Sequence, residues 1–120
     1  MYDILYLVGR VIFGGYFVMM GVNHFAKKEI LVGYAKSKNI PSPGTAVAVS
    51  GILLLIGGLG IFFDVYANVA ALSLVLFLIP VSFKMHAFWT ETDPVVKMGD
   101  MTHFLKNLAL LGAVLTMFNF

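Results

Sequence analysis

The chain has 120 residues, 60% hydrophobic and 12% charged, and its mean hydropathy of +0.93 lies outside the soluble range and points to lipid as the solvent. A net charge of +2, carried by lysines on loops, argues against a nucleic-acid partner. There is no cysteine, so disulfides, thiolate nucleophiles, Cys-ligated zinc and iron–sulfur clusters are excluded.

The fold class expected is all-α: a single membrane domain over residues 1–120, a polytopic four-transmembrane-helix bundle with a short interfacial helix after the first span. The first span covers about 4–25. Met1-Tyr2-Asp3 offers no basic leader and Arg10 interrupts the apolar run, so this segment is expected to be retained rather than cleaved. Asp3, Tyr6, Arg10, Gly14, Phe17, Gly21 and His24 recur at the spacing of one helical stripe. Arg10 either snorkels to the headgroups or meets a buried partner, for which Asp64 is the natural candidate.

Lys27, Lys28, Lys36 and Lys38 surround Ile30, Leu31, Tyr34 and Ala35, a pattern suited to a helix lying in the interface. Ser42 is placed to cap the next helix, with Pro43 at its first position. The second span, about 45–63, has no charge, and its glycines let other helices approach closely. After a tight turn at Asp64, the third span covers about 65–89. Pro80 removes a backbone donor within it, which leaves the Leu76 carbonyl unpaired and makes a cavity possible there. A loop over 90–100 includes the turn signal Asp93-Pro94, and Asp100 is expected to cap a fourth span over about 101–118.

Lysines cluster in the loops 26–44 and 90–100 and their flanking helix ends. The positive-inside rule puts those loops in the cytoplasm and both termini outside, in a multi-pass protein of the cell membrane. His24, His86, Trp89, His103, Lys106 and Asn107 then gather at the inner side, and Arg10 and Asp64 at the outer.

The three histidines come from three helices and form no His-x-x-x-His pair, so no metal is expected. A quinone needs an apolar slot open to lipid, an aromatic wall and hydrogen-bond donors for its oxygens. His86 with Phe88, Trp89 and Lys106 or Asn107 offers that set. The plainer alternative is Trp89 as an interfacial anchor with Lys84 and Lys106 snorkelling. No flavin or electron-carrying motif is present, so a chain of this kind is expected to work as a subunit.

The chain resembles the DoxX family of small four-helix membrane proteins. The resemblance rests on Gly9-Arg10, Gly21, Tyr34-Ala35-Lys36, Pro41-Ser42-Pro43, Gly51, Gly57-Gly58 and Gly112, and most specifically on His86-Ala87-Phe88-Trp89 and Met101-Thr102-His103-Phe104-Leu105-Lys106-Asn107-Leu108. The family is named after a subunit of an archaeal thiosulfate:quinone oxidoreductase. The resemblance therefore implies an integral membrane subunit of a quinone-linked redox complex, with a redox partner subunit. It makes His86, Trp89, His103, Lys106 and Asn107 the motif residues, with Arg10 the matching charge of the first span. Two other functions remain open, a non-catalytic membrane scaffold and a small transporter using the Arg10–His24 stripe. A homo-oligomer in the lipid bilayer is expected, because four short helices leave broad apolar faces.

Overall fold

A computed structural model describes residues 2–119. Five α-helices follow one another: α1 (Tyr2–Ala26), α2 (Lys28–Ser37), α3 (Pro43–Phe63), α4 (Ala67–Met85) and α5 (Pro94–Leu115). A 3-10 turn at Phe88–Thr90 links the last two, and there is no strand among the described residues.

The charge-free α3 is the post against which the others pack. α1 lies along one of its sides and α4 along another, while α5 packs on α4. Small residues permit the contact. Gly51 and Gly58 turn to α1, where a Cβ on Gly58 would come within 2.6 Å of the Val18 backbone nitrogen. Gly57 and Gly60 turn to α4, against Leu74 and Ala70. From the other side Gly14 meets Phe62 and Gly58, with a virtual Cβ 2.6 Å from the Phe62 nitrogen. The α1 stripe therefore faces α3, and fully buried Phe17 fills its middle. The core joins Phe17 of α1, Leu54 and Ile61 of α3, Leu74, Phe77 and Leu78 of α4, and Val114 of α5.

Three helical segments are long and apolar enough to cross a membrane: Asp3–Ala26, Pro43–Phe63 and Ala67–Thr90. α5 is not among them, since Lys97, Asp100, His103, Lys106 and Asn107 interrupt its first fourteen residues.

Several boundaries differ from the sequence expectation. The helix α5 starts at Pro94, not 101, because Asp93 caps it: its carboxylate accepts from the amides of Val95 at 2.9 Å and Val96 at 3.4 Å, with Pro94 in the first turn. Asp93-Pro94 is thus a helix start rather than a turn, and Asp100 lies inside the helix, 4% exposed, instead of capping it. The helix ends at Leu115, not 118. The α-helix of the third span begins at Ala67 and ends at Met85, the 3-10 turn carries the apolar segment on to Thr90, and the loop before α5 is then 91–93 rather than 90–100. Ser42 occupies the position before α3 but makes no capping hydrogen bond, its backbone being left-handed at φ 46°.

The α3–α4 turn is closed by Asp64 and Tyr66, both left-handed. At this end Arg10 Nη1 lies 3.5 Å from Asp64 Oδ2, Arg10 Nε donates to the Phe62 carbonyl at 3.1 Å, and the Tyr6 hydroxyl donates to Asp64 Oδ1 at 3.1 Å. Asn68 and Asn119 exchange hydrogen bonds of 2.9 and 2.8 Å, which brings the last described residue to the same end.

Candidate functional site

The opposite end of the bundle holds the polar cluster. Asp100, buried on α5, is positioned by the helix period: Asp100, Asn107 and Val114 are seven apart and all buried. Its Oδ2 accepts from Lys38 Nζ at 2.7 Å. The same ammonium donates to Glu91 Oε1 at 3.0 Å and lies 5.9 Å from the centre of the Tyr34 ring. A single lysine after α2 therefore ties down both the segment after α4 and the start of α5.

The other carboxylate oxygen of Asp100 faces His86. Nδ1 of His86 lies 3.5 Å from Oδ1 and makes no hydrogen bond among the described residues, although it is buried. The His86 ring stands 4.9 Å from that of His103, which is exposed. Asp100, His86 and His103 thus form a row from a buried carboxylate to the surface. Beside it four aromatic side chains pack mainly edge to face: Trp89 contacts Phe88 at 5.2 Å, Phe104 at 5.5 Å and Phe83 at 6.1 Å. Trp89 is half exposed.

Burial acts first on the Asp100 carboxyl and would raise its pKa; the hydrogen bond and charge of Lys38, and then His86, outweigh it and hold the group below the usual carboxylate value. For Lys38, burial pulls downward, and the Asp100 and Glu91 carboxylates reverse the sign and raise it. Tyr34 is raised by burial and then by the Asp100 carboxylate. The stability consequence follows from the directions. Asp100 contributes above the ordinary carboxylate pKa of about 3.9 and loses that contribution as pH falls through its lower folded value. Lys38 contributes below about pH 10.4 and loses its contribution as pH rises through its higher folded value. Thermal unfolding in detergent is expected to show an acid loss and an alkaline loss that the double variant Lys38→Met/Asp100→Leu lacks. Parallel pH curves for the two proteins would refute the coupling.

The structure pairs the rings of His86 and His103, and separately those of Phe88 and Trp89. Lys106 turns instead to α1, where its ammonium donates to the Tyr16 hydroxyl at 3.2 Å. Asn107 is buried at 5% exposure. His24 lies one helix away, its Nδ1 2.8 Å from the Met20 carbonyl oxygen, and Arg10 and Asp64 are at the far end. Sequence reasoning did not assign Lys38, Glu91, Tyr34, Phe83 or Phe104 to the site. No local spacing relates Lys38 to Asp100, 62 positions on. The Asp100/His103/Asn107 stripe of α5, by contrast, was available as a signal. Among the described residues no group of histidine, aspartate and glutamate side chains is arranged to hold a metal ion.

A DoxX family profile matches residues 5–87. The matched stretch runs from α1 past the end of α4, taking in Gly9-Arg10, Gly57-Gly58 and His86-Ala87 but neither Trp89 nor the segment 101–112. No curated protein and no solved structure matches the chain. With three long apolar helices and a profile match over more than half of its 120 residues, the chain belongs to the DoxX family and is a small membrane protein.

Proposed function

We propose that the chain is an integral membrane subunit of a quinone-linked redox complex, whose quinone, or another lipid-soluble ligand, binds at the α4–α5 end of the bundle. One observation carries this reading: a row from buried Asp100 through His86 to exposed His103, set beside the aromatic wall of Phe83, Phe88, Trp89 and Phe104. Quinone chemistry exchanges protons with water, and imidazole is the side chain suited to that exchange near neutral pH. The buried, unbonded Nδ1 of His86 keeps a lone pair or a proton available in the row.

In this reading the four long helices cross the bilayer as one domain, α5 with the part that follows Asp100. The longest extent of 48 Å accords with a membrane of about 40–45 Å including headgroups. α2 lies in the interface with Lys27, Lys28 and Lys36 exposed. The basic end faces the cytoplasm and the Asp64 end faces out. Electrons come from a redox partner subunit, and further copies of the chain cover its apolar faces.

The test uses the single tryptophan. A short-chain ubiquinone added to the purified protein is expected to quench Trp89 fluorescence saturably, and His86→Ala to weaken the apparent affinity at least tenfold. Absence of saturable quenching would remove the proposal.

A further inference from the structure

A second feature shares no lining residue with the aromatic wall. A cavity of about 180 Å³ opens where α1, α2, α3 and α4 converge, lined among others by His24, Ser50, Leu76, Phe77, Pro80 and Lys84. Its size is informative. An apolar cavity of roughly 150 Å³ holds one benzene ring, whereas drug-sized sites run to about 300–1,000 Å³. This cavity therefore takes one substituted ring and little more. Leu76 and Pro80 are exposed on the flank of α4, so the cavity opens sideways, where a bilayer would lie.

The polar groups on its wall are of a particular kind. Pro80 has no N–H, so the Leu76 carbonyl lacks its helical donor, and no side chain among the described residues donates to it. His24 Nδ1 lies 2.8 Å from the Met20 carbonyl oxygen. That oxygen can only accept, so Nδ1 carries a proton, and in the neutral ring Nε2 is an acceptor. Ser50 makes no hydrogen bond within the described residues, and Lys84 has no ion-pair partner there. The wall thus offers two acceptors, one hydroxyl and one cationic donor around an apolar ring-sized space. A phenolic hydroxyl, which donates one hydrogen bond and accepts others, matches that set; a plain hydrocarbon leaves it unmet.

We infer that this cavity binds the ring of a lipid-soluble phenol, the class to which quinols belong, with the hydroxyl at the Leu76–Pro80 notch and the ring against Phe77. The quinol identity rests on the functional reading above; the phenol site does not.

The probe is 4-azidophenol, photolysed with the purified protein in detergent, and labelled peptides are located by mass spectrometry. Saturable labelling is expected in 43–63 and 76–85. It should be competed by 4-butylphenol at least tenfold better than by its methyl ether, which cannot donate. Ser50→Leu and, independently, Ala46→Leu fill the space and are expected to cut labelling at least tenfold while melting as the wild type does. Two variants guard against one misfolding. Labelling elsewhere, equal competition by the ether, or full labelling in well-folded variants overturns the inference. If the ubiquinone quenches Trp89 but 4-azidophenol does not label saturably, the cavity assignment falls and the quinone reading stands. If phenol labels as expected and the ubiquinone leaves Trp89 unchanged, the quinone reading falls and the phenol site stands.

Discussion

Gly58→Leu is expected to destabilise the protein severely, whereas Gly9→Leu is expected to be silent. At Gly58 even the first added carbon meets the Val18 nitrogen at 2.6 Å and the Gly14 carbonyl at 3.0 Å. Those are backbone atoms, which no rotamer change can move, so α1 and α3 must separate along their length. Overpacking typically costs about 1–3 kcal/mol, and leucine should reach the upper part of that range or exceed it. The loss is larger in hydrocarbon, where association of helices relies on close packing rather than on expulsion of water. Gly9 has nothing within 4 Å of a virtual Cβ, so the same substitution there controls for hydropathy and helix propensity. Melting temperatures in detergent and the fraction of monodisperse protein decide the matter. Equal melting of Gly58→Leu and the wild type would mean that α1 and α3 do not touch as described.

The second large effect is at Asp100. Asp100→Leu strands the Lys38 ammonium, whose side chain is only 15% exposed, with Glu91 as its one remaining carboxylate. Removing one partner of a buried pair costs about 3–5 kcal/mol. Replacing both partners with apolar groups is often close to neutral, so Lys38→Met/Asp100→Leu is expected to regain most of the loss. The readouts are melting temperature and protease cleavage within 38–42, the loop that the pair anchors. A single variant no less stable than the double one would show that the contact holds nothing together.

The helices were legible because lipid simplifies the code: a charge-free run such as 45–63 has few other readings. The Arg10–Asp64 contact could be anticipated from topology, since a tight turn at Asp64 returns the chain to the level where α1 begins. The start of α5 was missed because Asp93-Pro94 signals both a turn and a capped helix, and only the backbone path decides between them. The site was partly legible. The chemical types at His86, Trp89 and His103 stand out against an apolar background, but the partners that orient them do not. Lys38 reads as one basic loop residue among four until tertiary packing brings it to Asp100. The cavity was announced by Pro80 alone, and its other walls come from helices with no polar motif.

The reciprocal pair between Asn68 and Asn119 has a practical corollary. Asn119 and the start of α1 lie at one end of the bundle, so in the proposed topology a short linker can join the tail of one copy to the head of the next without traversing hydrocarbon. Tandem fusions of two, three or four copies, with one carrying Gly58→Leu, then test the proposed homo-oligomer by whether the damaged unit destabilises its linked neighbours.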